Sequence, residues 1–243
     1  MHLELQQWTG LSSLMLIYAF FAIGVAAYVR GYSGFGFSAL TVTSLALILP
    51  PSEIIHTAYI LEIIASIHML PLVWRFIDSK ILSWLVLGVI FGTPFGTKFL
   101  LEISQEMMRI TISGIVLSAS LLIWKNIKFS ISANWYSLIA LGFFSGFING
   151  ASAIGGLPIV LFFLSIPLES VVRRATIIAY LFISDLYAFM IPINQQLITS
   201  DLLARSVFLM IPLSFGIYLG HVSFIKTSPK SFQKFTLILL FFL

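Results

Sequence analysis

The sequence predicts an all-α integral membrane protein with roughly eight to ten membrane elements arranged as two inverted repeats. Three observations lead to this fold class. The chain of 243 residues is 59% hydrophobic and only 9% charged, with a mean hydropathy of +1.06, whereas soluble domains carry about 25% charged residues. A glycine- and serine-rich break interrupts a long hydrophobic run in each half of the chain. Residues around the two breaks also recur at a constant spacing.

Charges, prolines and glycines bound the candidate elements. In chain order they cover residues 11–30, 36–49, 54–74, 81–100, 106–124, 135–149, 156–166, 172–192, 202–221 and 231–243. The second and the seventh are too short to cross a hydrocarbon core of about 30 Å alone. Each directly follows a glycine-rich break, so we expect either half-helices of broken spanning helices or arms of re-entrant hairpins.

Matching residues in the two halves indicate a duplication. Four residues of the first half recur 119 positions later, since Gly31, Ser33, Gly36 and Thr57 match Gly150, Ser152, Gly155 and Thr176. Each half holds five candidate elements, and an odd number places the second half in the opposite orientation, as in inverted-repeat transporters. We therefore expect a single membrane domain, with repeat 1 at about 11–124 and repeat 2 at about 135–243.

The basic residues indicate the orientation of the chain. Nine of them fall in alternate connections between elements, namely Arg30, Arg75, Lys80, Lys125, Lys128, Arg173, Arg174, Lys226 and Lys230. By the positive-inside rule these connections are cytoplasmic, which puts the N-terminus outside. The net charge of +4 is dispersed and forms no basic stripe, so the sequence does not indicate a nucleic-acid partner.

The two breaks carry the candidate binding site. They read Gly31-Tyr-Ser-Gly-Phe-Gly-Phe-Ser38 and Asn149-Gly-Ala-Ser-Ala-Ile-Gly-Gly-Leu-Pro158. Each leads into the N-terminus of a helix, where free N–H groups and the helix dipole favour a small anion. The substrate-binding candidates are Ser33, Gly34, Gly36, Phe37, Ser38, Asn149, Ser152, Gly155, Gly156 and Pro158. The alternative is close helix packing through small residues, which is common in membranes.

Ionisable residues inside hydrophobic runs are the next candidates, because a charge within lipid is costly. Glu62 and Asp185 lie well inside the third and the eighth elements. Each is a candidate for proton coupling or for the partner of a buried cation. Arg173 and Arg174 open an element just after the second break, and we interpret them as topology anchors rather than as anion ligands.

Two further patterns have structural or enzymatic alternatives. Gly92-x-x-x-Gly96 and Gly216-x-x-x-Gly220 predict close helix approach, either within the subunit or in a homodimer. Gly31-Tyr-Ser33-Gly34 fits the Gly-x-Ser-Gly of rhomboid-type proteases, with His68 or His221 as the base. We expect no enzyme, because other catalytic motifs are missing from the sequence, and we expect no metal or cofactor. A non-transporting scaffold is the third hypothesis.

The two halves resemble the sulfite exporter TauE/SafE family of membrane permeases over roughly residues 14–243. The resemblance rests on the glycine-rich signatures quoted above, on Ile55-His-Thr57 and Ala175-Thr176 after them, and on the late Gly-x-x-x-Gly of each half. It implies a multi-pass protein of the bacterial inner membrane that moves a small anion across the lipid bilayer. Sulfite, sulfonates and related sulfur or carboxylate compounds are the implied substrates, and export is the expected direction.

Overall fold

Helices form all the regular structure in the part of the chain that the computed structural model describes. That part comprises residues 9–104, 134–191 and 199–228, with isolated positions at 106–108, 110–111, 113–114, 118, 231–232 and 235. The helices are α1 (Ser13–Ser33), α2 (Phe37–Leu45), α3 (Pro51–Val73), a 3-10 turn (Trp74–Phe76), α4 (Ser79–Glu102), α5 (Trp135–Ser152), α6 (Gly156–Ser165), α7 (Ser170–Met190) and α8 (Ser200–Ile225). The predicted elements at 106–124 and 231–243 fall largely outside the described residues.

Capping residues satisfy free backbone groups at the ends of three long helices, α1, α4 and α8. The Ser12 hydroxyl accepts from the N–H of Met15 and begins α1, and the Asp78 carboxylate accepts from two N–H groups at the start of α4. Thr199 caps α8 in the same way. Gly34, in a left-handed conformation, ends α1. The predicted first element is therefore three residues too short, because Gly31 to Ser33 continue the helix.

Glycines bring two pairs of parallel helices into close contact. At one seam α1 packs along α8, with Phe20 beside Phe208 and Tyr28 bonded to Ser223. At the other seam α4 packs along α5, with Trp84 beside Trp135.

At both seams a glycine faces the backbone of the neighbouring helix. A Cβ at Gly92 would overlap the carbonyl oxygen of Phe143, and one at Gly220 would overlap that of Tyr28. The predicted packing role of the Gly-x-x-x-Gly patterns is confirmed, and the contacts are within the subunit.

The remaining long helices, α3 and α7, lie between these two seams. Along the bundle the order is α1, α8, α3, α7, α4 and α5, while α2 contacts both α1 and α3, and α6 contacts both α5 and α7. The N–H just beyond the end of α3, at Asp78, donates to Thr176 near the start of α7. Tyr59, near the start of α3, interacts electrostatically with Asp185, late in α7. The two central helices are therefore antiparallel.

Four helices in the described part of the chain are long and apolar enough to cross a membrane. They are Ser13–Ser33, Glu53–Phe76, Ser79–Glu102 and Ser200–Ile225. Large apolar side chains on their outer faces are exposed, including Phe21, Phe91 and Phe215. Such a surface suits contact with lipid rather than with water.

The short helix α2 folds back along α1. The Tyr18 hydroxyl, early in α1, donates to the Ser44 carbonyl at the far end of α2. Because α1 and α2 are joined only by Gly34 to Gly36, the turn between them is tight. The break therefore lies at the tip of a helical hairpin, at the level of the middle of α3, where Arg30 meets Glu62.

Candidate functional site

The two breaks begin with the same left-handed backbone conformation. Gly34 has φ +86° and Ala153, which lies 119 positions later, has φ +60°. Their N–H groups donate to the carbonyls of Arg30 at 2.8 Å and Asn149 at 2.7 Å. Ala153 is the one non-glycine residue with positive φ in the described part of the chain. A left-handed alanine is unfavourable, so the surrounding packing holds this turn in place.

A buried ion pair lies at the first break. Arg30, fully buried near the end of α1, places its Nε 3.1 Å from Oε2 of Glu62 in α3. This approach lacks hydrogen-bond geometry, so Glu62 Oε2 accepts no hydrogen bond within the described residues. The other oxygen, Oε1, accepts from the Ser38 N–H at 3.2 Å and from the Ser38 hydroxyl at 2.7 Å. Glu62 therefore caps the N-terminus of α2.

The rest of the Arg30 guanidinium fixes the break itself. Its terminal nitrogens donate to the carbonyl of Gly34 and, at 2.8 Å, to the hydroxyl of Ser66. The predicted place of Arg30, in a connection on the cytoplasmic side, is wrong. The helix continues beyond Arg30 to Ser33 and turns the side chain into the protein.

An amide replaces the arginine at the second break. Asn149 occupies the position 119 residues after Arg30, and its Nδ2 donates to Asp185 Oδ1 at 2.8 Å and to the Ser184 hydroxyl at 3.0 Å. Its Oδ1 accepts from the Gly155 N–H at 3.2 Å. Asp185 in turn is 119 positions after Ser66. The hydrogen bond from Asn149 to Asp185 is therefore the equivalent of the one from Arg30 to Ser66. In each half it joins the end of the broken helix to the next long helix.

Asp185 is the second buried carboxylate of this region. It is 1% exposed, and its Oδ2 has no hydrogen-bond partner within the described residues. It is close enough to Glu62 and Arg30 to interact electrostatically with both. One buried arginine and two buried carboxylates therefore form a charged cluster between the two breaks. From here on, we call Arg30, Glu62 and Asp185 the central cluster.

A small cavity lies where the two breaks meet. The first half contributes Gly36, Ser38 and Glu62 to its lining, and the second half contributes Ile154, Gly156 and Leu157. Its volume is about 10 Å³, which is room for roughly one water molecule. The cavity is therefore too small for a sulfur oxyanion in this conformation, and binding one requires the walls to separate.

A family comparison places this arrangement among membrane transporters. The model of the family described as sulfite exporter TauE/SafE matches residues 19–243. The chain belongs to this family. No curated protein and no solved structure matches the chain. TauE/SafE membership, together with the long apolar helices, makes it a multi-pass membrane protein of a transporter family.

The candidates predicted at the first break fall into two groups in this TauE/SafE chain. Gly36 and Ser38 line the cavity. Ser33 Oγ lies 2.8 Å from the carbonyls of Val29 and Phe35, within its own turn. Phe37 is fully buried in the core, and Gly34 packs under the side chain of Arg174.

The second break of this TauE/SafE chain is arranged similarly. Gly156 lines the cavity, whereas Gly155 packs against Asn149 and Ser145 behind it. Ser152 donates to the carbonyl of Ile148 within its own helix. Pro158, in the first turn of α6, is half-buried. The structure therefore brings three of the predicted residues, Gly36, Ser38 and Gly156, into one cavity with Glu62.

Arg174 is buried, contrary to the predicted anchor role. Its guanidinium donates to the Gly31 carbonyl, lies 3.2 Å from His221 Nδ1 and stacks 4.2 Å from the ring of Phe224. It thereby joins α7 to the ends of α1 and α8. A side chain 1% exposed does not serve as an interfacial anchor.

The geometry around Ser33 does not favour the protease alternative. The carbonyl oxygens of Val29 and Phe35 are the hydroxyl's close neighbours. His68 Nδ1 lies 2.9 Å from the Ile64 carbonyl, and His221 contacts Arg174. A serine nucleophile needs a base within hydrogen-bond reach. In a TauE/SafE protein, Ser33 is better explained as the equivalent of Ser152 in a repeated turn.

Proposed function

We propose that this protein is a bacterial inner-membrane permease that moves a small sulfur-containing anion by alternating access. Sulfite, a sulfonate or a related sulfur or carboxylate compound is the substrate, and export is the direction of transport. The observation that carries this proposal is the cavity between the two breaks, which is lined from both halves and includes Glu62 of the central cluster. TauE/SafE membership supports the substrate class.

The arrangement of helices supports two inverted repeats of about 11–124 and 135–243. Their equivalent helices α3 and α7 are antiparallel. Two repeats that are related by a half-turn about an axis in the membrane plane require this. The same half-turn exchanges the α1–α8 seam with the α4–α5 seam. In inverted-repeat transporters, substrate binds near the midplane and one repeat moves against the other. We infer the same movement here, with the N-terminus outside.

Backbone N–H groups at the starts of α2 and α6 are the proposed anion ligands. In this proposal Gly36, Phe37 and Ser38 present one helix N-terminus, and Gly156 presents the other. Gly34, Gly155 and Pro158 shape the two turns, because the N–H groups of Gly34 and Gly155 are already bonded within the chain and proline has none. Ser33, Asn149 and Ser152 hold the two turns in place. Arg30 adds a positive charge to the site, although it is not among the binding residues that the sequence predicts. Burial strengthens its attraction for an anion.

Sulfur-anion flux in proteoliposomes tests the proposed function. We expect the purified protein to transport at least one of sulfite, methanesulfonate and a small carboxylate. A monovalent anion changes energy by about 2.3 kcal/mol per 100 mV, so an imposed potential provides a driving force for flux that moves net charge. Absence of flux for the whole panel would contradict the proposal and favour a scaffold.

Gly156→Ala tests the location of the site. The new Cβ would lie 3.1 Å from a terminal methyl carbon of Leu181, which is flexible enough to move, and it would occupy the cavity. We expect at least tenfold slower flux from a protein that remains monodisperse. Gly24→Ala is the matched control, because its Cβ would lie 3.7 Å from Pro212. Gly155 is less suitable, since a Cβ there would overlap Asn149.

A further inference from the structure

The Glu62 carboxylate occupies the place that the proposed function gives to the transported anion. Oε1 accepts from both the backbone and the side chain of Ser38 at the start of α2. Oε2 faces the Arg30 guanidinium. A carboxylate at a helix N-terminus next to an arginine has the ligands expected for a sulfonate or sulfite oxygen. These contacts are already satisfied within the chain.

Glu62 and a transported anion cannot use these ligands together. Glu62 lines the cavity, and the free space of about 10 Å³ leaves no room for a second oxyanion beside it. Glu62 belongs to α3, whereas the groups that hold it belong to α1 and α2. Rotation of the Glu62 side chain, or a movement of α3 away from the α1–α2 hairpin within repeat 1, would therefore separate the carboxylate from its ligands. The Glu62 carboxylate is held by hydrogen bonds through Oε1 alone, because Oε2 accepts no hydrogen bond within the described residues.

We propose that Glu62 is a tethered occupant of the anion site, and that the transported anion takes over Arg30 and the N-terminus of α2 when Glu62 leaves with a bound proton. This inference rests on the proposed function. It makes Glu62 a competitor of the substrate. It also assigns Arg30 as the cation that holds the substrate.

The charges around Glu62 explain why a proton accompanies the anion. The ion pair of Arg30 and Glu62 has no net charge. An added monovalent anion would give the pair a net charge of −1, whereas an anion and a proton together leave it neutral. Burying additional charge away from water is costly, so the two are expected to bind together.

The other helices around Glu62 supply one further charge that reaches the central cluster, since Arg174 on α7 interacts electrostatically with Arg30. The helices α2 and α6 carry no titratable side chain. On α8, Arg205 pairs with Glu53 and His221 contacts Arg174. Besides the central cluster, the phenols of Tyr59 and Tyr180 interact electrostatically with Asp185.

The linkage between anion and proton can be measured at equilibrium. If one proton is taken up with each anion, the apparent Kd rises about tenfold per pH unit once the cluster is unprotonated before binding. Methanesulfonate is the probe, because its own charge is fixed across the working pH range. Binding of the radiolabelled probe to the full-length protein in detergent would be measured across that range.

Glu62→Gln is the decisive variant. We expect its Kd to be independent of pH and tighter than that of the wild type at high pH, because a neutral amide no longer competes for Arg30. Glu53→Gln is the matched control, since Glu53 is a carboxylate of the same helix paired with a buried arginine away from the cavity. We expect it to keep the wild-type pH slope.

A second measurement keeps the test independent of how the variant folds. Proton uptake by the wild type on adding methanesulfonate, followed with an indicator dye in weak buffer, is expected to approach one proton per bound anion. Binding without pH dependence, a slope retained in Glu62→Gln, or no proton uptake would overturn the inference and leave the permease function standing. No binding of methanesulfonate by any variant at any pH would overturn sulfonate as the substrate, and the inference with it.

Discussion

Replacing Arg30 with methionine is expected to destabilise the protein by about 3–5 kcal/mol and to abolish anion transport. Removal of one partner of a buried ion pair leaves the other charge uncompensated. Here the remaining Glu62 would face a second buried carboxylate, Asp185, with which it already interacts. Equilibrium unfolding in mixed detergent–SDS micelles measures the loss.

The double variant Arg30→Met/Glu62→Gln separates stability from function. Removing both charges is expected to recover most of the lost free energy of unfolding, but it leaves the site without its cation and hence without transport. Arg205→Met is the matched control for the loss of a buried arginine. Its partner Glu53 has a side chain 43% exposed, so water solvates the remaining carboxylate and we expect a loss of about 1 kcal/mol. Equal stability of Arg30→Met and wild type would contradict the assigned ion pair.

Gly92→Ala is expected to lower the free energy of unfolding by about 3 kcal/mol or more. Overpacking of a core usually costs roughly 1–3 kcal/mol, and this site is among the tightest. The Cβ would overlap the carbonyl oxygen of Phe143, which is backbone and has no rotamer to change. To accommodate it, α4 and α5 must separate and lose contacts along the whole seam.

The seam also provides a control for this substitution. Gly24 is also a glycine at a parallel helix seam, the one between α1 and α8. A Cβ added there would lie at an ordinary contact distance of 3.7 Å from Pro212. We expect Gly24→Ala to unfold at the wild-type SDS fraction. If Gly92→Ala also unfolded at the wild-type SDS fraction, α4 and α5 would not approach each other as closely as described.

The two breaks were predictable because glycine and serine stand out within hydrophobic runs. The extent of each break was not. Gly31 lies within α1 because it packs against the backbone of Ile217 in α8, a contact between residues far apart in the sequence. Ala153 holds a left-handed conformation that its residue type does not indicate. Both features depend on tertiary packing.

The role of Arg30 was missed for a related reason. In the sequence it lies at the edge of an apolar run, where the positive-inside rule interprets any arginine as a loop charge. One signal was present, since Arg30 precedes Gly31 as Asn149 precedes Gly150. Glu62 and Asp185 were found because a carboxylate inside an apolar run is rare, but their neighbours depend on how α3 and α7 cross.

Cysteine protection at both breaks tests most directly whether they serve one anion site. The chain contains no cysteine, so single variants Ala39→Cys and Leu157→Cys would report on the cavity from its two sides without replacing a proposed ligand. Maleimide labelling would be measured in membranes with increasing methanesulfonate, with the exposed Ser83→Cys as the unprotected control. We predict that both cavity positions are protected with the same half-effective concentration. Protection of only one of them, or at two different concentrations, would contradict a shared site.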